Sequence, residues 1–376
     1  MAMARALCQS FKRFSRLDHL HRSFSRQART RKAGEETPKK RKAVVPTMAE
    51  RCKSILGLNW RGQLTTLKPR LADKEEREKA DKTFGEFSNY ILYDDKVIVY
   101  VPEESQHCPN LLLDSRASLI IGHTDPSPLM KVFQQVKKIP PHTLLVGTLI
   151  VPEDADKLSQ EVLKDVIKEE LSELEQIAHQ SSPSIKPILE SGGHVLQSRV
   201  RALNQMFECR KDDTFYHFDA NSCHYVDMSG IKHLVEAEVL KKAARAMSPL
   251  LPVVIEGINR NQKRRMGLKV LCAWFLHVKV KDAFALSADK WGLDVFAKVV
   301  SDSAGELGDG HKKTSGGKNL AASGESEWKI IRLTFREEVL NINEFCAMLG
   351  QMEKECVIAM GLGTTRSAPE KEYAEK

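Results

Sequence analysis

Short apolar segments separated by turns constrain the fold of this 376-residue chain most strongly. Segments 87–93 and 97–101 flank Asp94-Asp95-Lys96, which is the pattern of a β-hairpin. Further strands are predicted at 63–67, 119–122 and 143–151. Because few helices separate these segments, the sequence predicts an antiparallel barrel and not a doubly wound parallel sheet.

Helices are predicted where apolar residues recur at three- and four-residue steps. They fall at 50–58, 129–137, 154–180, 233–246, 253–278 and 342–353. Residues 181–212 have a mixed pattern, and a second hairpin is predicted from 215–218 and 222–226. Strands are also predicted at 282–286, 293–299 and 328–335. Because these strands lie between two helices, they predict a small α+β domain.

The length of the chain allows two domains. We predict a barrel domain at 48–245 and an α+β domain at 252–360, with a low-complexity loop at 301–327. Residues 361–376 are interpreted as a disordered tail. No segment approaches the ~20 apolar residues that a membrane-spanning helix needs.

The formal net charge of +8 is concentrated at the amino end. Residues 1–50 hold 13 Lys and Arg against 4 Asp and Glu, whereas residues 51–376 hold 45 against 46. The body of the chain therefore lacks the basic bias of a nucleic-acid-binding domain. The strongest local alternative is the run Arg260, Lys263, Arg264 and Arg265, for which the solvated face of a helix is the favoured explanation.

Residues 1–47 are interpreted as a transit segment and linker. Residues 1–32 are rich in Arg, contain one acidic residue, and place Leu7, Phe11 and Phe14 on one helical face. This pattern is typical of an organelle transit peptide and favours the mitochondrion, with the chloroplast as the alternative. The basic run 39–42 indicates the nucleus as a third possibility.

The eight cysteines form no C-x-x-C pair, which indicates a reducing compartment and no redox or zinc motif. The spacing of Cys209, His217, Cys223 and His224 fits no standard metal site. No metal is therefore predicted.

Two blocks of the sequence, in a fixed order, carry a family resemblance. The first comprises 107–111, 114–119 and 146–147, and the second comprises 254–259, 288–293 and 331–335. Together they resemble the FMN-binding split-barrel family, the pyridoxamine 5'-phosphate oxidase-like proteins. Within it they resemble the branch of heme-utilisation proteins and the glutamyl-tRNA-reductase-binding protein, above all its plant organellar members. The resemblance implies an antiparallel split β-barrel, a small α+β domain after it, and a homodimer with the cofactor in the dimer groove.

The resemblance places Ser115 and Arg116 where a flavin phosphate would bind, although Arg116 is also placed to pair with Asp114. Where the family carries basic and amide residues, this chain has Pro141-His142-Thr143. His142 is a poor replacement for a permanent cation, because a histidine is mostly uncharged near neutral pH. FMN binding is therefore not favoured.

A heme would need an axial ligand, most often a histidine. Where the resemblance implies histidines, this chain has Gly257 and Gln262. The best remaining candidate is His107, because it lies in the first block, although a role in organising the loop around it is favoured over ligation. The other candidates are His123, His142, His217 and His224.

We interpret the chain as an organellar, non-catalytic or degenerate binding or regulatory protein related to FMN- and heme-binding proteins, with a protein partner in the organelle as one possibility. No G-x-S-x-G motif is present, and no catalytic residue is predicted. The alternatives are a flavin-dependent oxidoreductase or a heme-degrading oxygenase, and a nuclear protein directed by residues 39–42.

Overall fold

The computed structural model describes residues 44–68, 83–123, 126–151, 160–300 and 326–360. Residues 44–351 form one compact unit, and residues 352–360 belong to a second. The predicted transit segment, the basic run and the carboxyl-terminal tail lie outside the described residues, as does nearly all of the loop at 301–327. None of the described helices is both long and apolar enough to cross a membrane.

Seven antiparallel strands form the first sheet. They are β1 (Arg61–Leu67), β2 (Thr83–Tyr93), β3 (Lys96–Val101), β4 (Arg116–Gly122), β5 (His142–Ile150), β6 (Thr214–Val226) and β7 (Lys232–Val235). Their order is β3-β2-β1-β4-β5-β6-β7, and pairing between β3 and β6 closes six of them into a barrel. The antiparallel barrel predicted from the sequence is confirmed.

Alternation along the strands separates two apolar cores. Leu64, Val99 and Leu119 point into the barrel, where they pack with the other inward side chains. Ile91 and Ile98 point outward and are covered by helices. The β2–β3 turn has positive φ at Asp94 and Asp95, as a two-residue hairpin turn requires.

Six helices of the described chain accompany the barrel. They are α1 (Met48–Leu58), α2 (His107–Leu113), α3 (Pro128–Gln135), α4 (Gln160–Gln180), α5 (Lys186–Phe207) and α6 (Ala237–Lys242). A capping box begins α1, because the Thr47 side chain accepts from the Glu50 amide and the Glu50 carboxylate accepts from the Thr47 amide. Helices α4 and α5 supply the side chains that cover the outer face of the barrel.

Three local predictions in this region were wrong. Residues 181–212 are not mixed, because they contain the 22-residue helix α5. The segments 215–218 and 222–226 do not form a hairpin but belong to one continuous strand, β6, whose pairing with β5 shifts at Val146 and Gly147. The segment 233–246 is not one helix, since β7 comes before the short helix α6.

The second sheet has three strands in the order β10-β9-β8. Its elements are α7 (Leu251–Arg260), α8 (Gln262–Phe275), β8 (Val280–Asp289), β9 (Gly292–Val300), β10 (Ser326–Thr334) and α9 (Ile342–Ala359). The predicted α+β part after the barrel is therefore confirmed. The single helix predicted at 253–278 is instead two helices, because the Asn261 side chain accepts from the amides of Lys263 and Arg264 and begins α8.

Candidate functional site

A cleft of about 280 Å³ lies between α1, the facing parts of α5 and α7, and the turn from β8 to β9. Its walls are largely apolar and include Ile55, Leu58, Leu129, Val195, Ile255 and Trp291. The barrel contributes Tyr225 from β6. We call this space the interdomain cleft.

The contact between α5 and α7 fixes one wall of the interdomain cleft. A Cβ atom at Gly192 would lie 2.0 Å from the Val253 carbonyl oxygen, and one at Gly257 would lie 2.1 Å from the Ile188 carbonyl oxygen. The two backbones therefore touch directly, and only glycine allows this approach. This packing explains why the chain has glycine at both positions.

A network of buried charges lies beside the cleft. The Asp294 carboxylate accepts from Arg51 and from Arg332, each at 2.9 Å, and from the Ser287 hydroxyl at 3.1 Å. Arg332 also donates to both carboxylate oxygens of Asp289 at 2.7 Å. Burial opposes the charge of Arg332, but these carboxylates outweigh it and raise the pKa of the guanidinium. The network joins α1 to the second sheet.

His194 of α5 lies in the cleft with its Nε2 atom already occupied. Arg260 Nη2 is 3.0 Å from this atom, and the Glu256 carboxylate is 3.6 Å from it. Arg260 also donates to Glu256 at 2.6 Å. Since a guanidinium only donates, His194 Nε2 is the acceptor of this hydrogen bond. This arrangement holds the histidine without leaving Nε2 for a ligand.

Trp60 and Arg61 line the cleft where α1 leads into β1. Trp60 is 6% exposed, and its indole Nε1 is buried without an acceptor among the described residues. The Arg61 guanidinium lies 4.6 Å from the centre of the Phe87 ring. Across the described part of the chain, no carboxylate forms an ion pair with Arg61.

The predicted phosphate-binding residues lie outside the interdomain cleft. Ser115 and Arg116 are exposed at the start of β4. Arg116 Nε donates to Asp114 at 2.9 Å, and the Ser115 carbonyl accepts from the Leu149 amide at 2.8 Å. The Asp114 carboxylate raises the pKa of the Arg116 guanidinium. The Arg116 side chain is thus held by Asp114, two residues before it in the chain.

His107, the first residue of α2, is 1% exposed. Its Nδ1 lies 2.9 Å from the Thr66 hydroxyl, which also accepts from Asn110, and its ring packs edge-on against Phe84. Burial lowers the pKa of His107 to about 4. The imidazole is therefore neutral, and its Nε2 is buried without a partner among the described residues.

His142 begins β5 and is half-buried, with its Nδ1 3.0 Å from the Pro140 carbonyl. It pairs with Gly122, six residues along β4 from Arg116, which separates the two by about 20 Å. The structure therefore does not bring Arg116 and His142 together. Neither Ser115, Arg116, His107 nor His142 lines the cleft, whereas His123 does.

The basic run on α7 and α8 is largely committed to local partners. Arg260 pairs with Glu256, Arg264 donates to the carbonyls of Gly257 and Pro187, and Arg265 pairs with Asp282. These contacts reduce the number of cations that could meet a phosphate backbone.

Apart from His123, the residues of the cleft were missed by sequence reasoning. Arg51 and Asp294 are 243 positions apart, and no local motif connects them. Trp60 and Arg61 lie between the predicted helix at 50–58 and the predicted strand at 63–67, and no pattern marks them. A buried tryptophan followed by an arginine carries a signal only once the fold places the cleft beside it.

No protein-family model and no curated protein matches this chain. Solved structures do match. A heme-binding protein from Mycobacterium smegmatis is 15% identical with a TM-score of 0.43, and the match covers 83% of this chain and 98% of that one. A protein of unknown function from Agrobacterium tumefaciens is 15% identical with a TM-score of 0.31, covering 84% and 100%.

General Stress Protein 26 from Bacillus anthracis is 12% identical with a TM-score of 0.27, covering 50% of this chain and 98% of that one. At such identities a likeness concerns the fold alone. The fold assignment rests on the strand pairing of the chain itself, a closed antiparallel barrel followed by a small α+β part.

Proposed function

We propose that this chain is a split-barrel binding protein that holds an apolar small molecule in the interdomain cleft. The observation that carries the proposal is an apolar space of about 280 Å³ lined by Trp60, whose buried indole N–H has no acceptor among the described residues. Its volume is close to the lower end, about 300 Å³, of known ligand pockets. A regulatory role would follow if the bound ligand alters how a partner protein in the organelle is recognised.

FMN fits this chain poorly. A phosphate dianion needs several donors, but Arg116 is engaged by Asp114, and Ser115 lies at an exposed turn. His142 lies at the other end of β4 and cannot complete a phosphate site there. A flavin-dependent oxidoreductase is therefore the less favoured alternative.

Heme is the next ligand to consider, and a heme-degrading oxygenase is the enzyme that it would imply. The apolar walls suit a porphyrin edge, but the Nε2 of His194 is occupied by Arg260. His107 is closed off from the cleft by burial. His123 is the histidine that would have to supply iron ligation, because it is exposed and lines the cleft.

The binding proposal is tested by titrating the full chain with N-phenyl-1-naphthylamine, a neutral apolar fluorophore, and in parallel with hemin and FMN. Ala246 lines the cleft, so Ala246→Trp should abolish binding of the fluorophore. Ala237 is exposed outside the cleft, so Ala237→Trp should leave binding unchanged.

Equal binding by both tryptophan variants would place the fluorophore elsewhere and contradict the proposal. A bound flavin spectrum would favour the oxidoreductase alternative. A Soret shift that is lost in His123→Ala and kept in His107→Ala would favour the heme alternative.

We also propose that the chain forms a homodimer through the outer face of β4 and β5. Val146 and Ile150 of β5 are each 41% exposed, and Ile120 pairs with Leu144 on the same face. In a twofold dimer this face would pack against the same face of the second copy. Sedimentation should show a dimer that Val146→Asp converts to a monomer; an unchanged sedimentation coefficient would contradict it.

For localisation we propose the mitochondrion, with the chloroplast and the nucleus as alternatives. The supporting observation is the acid-poor, Arg-rich composition of residues 1–32. A fusion of residues 1–47 to a fluorescent reporter should enter mitochondria. Replacing Arg13 and Arg16 with Glu should abolish import, whereas neutralising residues 39–42 should not; the opposite pattern would support the nuclear alternative.

A further inference from the structure

The end of the interdomain cleft at Trp60 and Arg61 differs in charge from the rest of it. Arg51 pairs with Asp294, Arg245 pairs with Asp95, and Lys290 pairs with Glu338. Arg61 is the exception among these cleft cations, because its contact within the described residues is the Phe87 ring and no carboxylate. The uncompensated positive charge of the cleft is therefore at this end.

Trp60 adds a second, independent indication. An indole N–H can only donate, and a buried donor left without an acceptor costs about 1–3 kcal/mol. The Arg199 guanidinium lies 5.8 Å from the Trp60 ring and donates to Glu170 and to the Pro249 carbonyl, so it offers Nε1 no acceptor. Trp60 lines the cleft, so a ligand oxygen at this end would supply the acceptor that the described residues do not.

We infer that the ligand of the cleft is an apolar acid whose anionic oxygens accept from Trp60 Nε1 and pair with Arg61. The inference rests on the proposed binding function and specifies its ligand class. The apolar body of the ligand lies along Leu58, Ile55 and Ile255. A fatty or aromatic carboxylate and the propionate of a tetrapyrrole share this chemistry.

The test compares two fluorophores that share the same ring system. 8-Anilinonaphthalene-1-sulfonate carries a sulfonate, and N-phenyl-1-naphthylamine lacks it. The full chain should bind the sulfonate at least tenfold more tightly. Trp60→Phe keeps the ring and removes the donor, and Arg61→Gln removes the charge. Each should weaken sulfonate binding about tenfold and leave the neutral compound unchanged, since a hydrogen bond to a charged group contributes about 1.5–3 kcal/mol.

Arg245→Gln is the matched control. Arg245 lines the same cleft but is paired with Asp95, so its loss should change the affinity for neither fluorophore. Circular dichroism and urea unfolding of each variant establish that it folds, because the sulfonate dye also binds partly unfolded chains.

The outcomes separate the two proposals. Equal affinity for both fluorophores, with no effect of Trp60→Phe or Arg61→Gln, would overturn the acid inference and leave the binding proposal standing. Failure of both fluorophores to bind would overturn the binding proposal itself. An equal loss in Arg245→Gln and Arg61→Gln would show nonspecific charge attraction and also overturn the inference.

Protoporphyrin IX against its dimethyl ester, and dodecanoate against dodecanol, then distinguish the sources of the acid. Tighter binding of the free acid than of its uncharged counterpart, in either pair, supports the inference if Arg61→Gln removes the difference. The pair that shows it identifies the source of the acid. No preference in either pair counts against it.

Discussion

The interior of the barrel and the interdomain cleft both contain buried polar side chains, but of different kinds. In the barrel, His107, Thr66 and Asn110 are uncharged, belong to neighbouring elements, and are packed among apolar side chains. In the cleft, Arg51 and Asp294 are charged and come from elements far apart in sequence. The stability of the barrel interior therefore depends on packing, whereas the stability of the cleft wall at Arg51 and Asp294 depends on paired charges.

Of the substitutions in the cleft, removal of the Asp294 carboxylate should cause the largest loss of stability. Asp294→Ala leaves Arg51 and Arg332 buried without their shared partner and should lower the free energy of unfolding by about 3–5 kcal/mol. Urea unfolding measures this loss. Asp165→Ala removes an exposed pair with Lys168 and should cost less than about 1 kcal/mol. Similar losses in the two variants would remove the distinction between the cleft network and an ordinary surface pair.

The wall of the cleft can be tested with adjacent glycines of α5. Gly192→Ala places a methyl group 2.0 Å from the Val253 carbonyl oxygen and should destabilise the fold by about 1–3 kcal/mol. Gly193 has no atom within 4 Å of the equivalent position, so Gly193→Ala should stabilise the helix by up to about 1 kcal/mol. Thermal unfolding that shifts in the same direction for both would show that α5 and α7 are not in backbone contact.

The barrel interior should respond to pH. The folded pKa of His107 is about 4 and its ordinary value is 6.5, so between these values the unfolded chain binds more protons. The stability contributed by the neutral imidazole is complete above pH 6.5 and is lost as the pH falls, by about 2 kcal/mol at pH 5. The stability difference between the wild type and His107→Gln should shrink correspondingly from pH 7.5 to 4.5.

The matched substitution for this pH series is His179→Gln, at an exposed position of α4. Its difference from the wild type should stay constant across the same pH range. If His107→Gln also gives a constant difference, the imidazole at 107 is not buried in its neutral form.

The smallest effect is expected at the start of β4. Arg116 is exposed and paired with the neighbouring Asp114, so Arg116→Ala should leave the melting temperature and every ligand titration unchanged. A selective loss of FMN binding in this variant would return the flavin site to consideration and weaken the contrast between barrel and cleft.

Local patterns predicted the parts of the fold that depend on local contacts. The hairpin at 94–96 and the alternating strands around it were confirmed, because turn chemistry and alternation are both readable over a few residues. Strand β6 was misread because the polar residues 219–222 look like a turn, whereas they form an irregular stretch paired with β5. Similar polar residues occur at bulges and at turns, so composition alone does not distinguish the two.

Helix α5 was missed because Gly192 and Gly193 interrupt its apolar pattern. Glycine is required at position 192 because the backbone there contacts the Val253 carbonyl oxygen, 61 positions later. A local sequence pattern cannot show this requirement. The cleft was missed for the same reason, since Trp60, Arg61 and Asp294 meet only in the folded chain. Local patterns in the sequence therefore predict the barrel. The cleft depends on contacts between residues that are far apart in the sequence, and local patterns do not show these contacts.

The backbone contact between α5 and α7 also bears on how such a cleft can change during evolution. At position 257 a histidine, as the family resemblance implies, and the present helix spacing are mutually exclusive, because any side chain there would meet the Ile188 carbonyl. A substitution at position 257 would therefore change two things together: the side-chain atoms available at that point and the distance between α5 and α7.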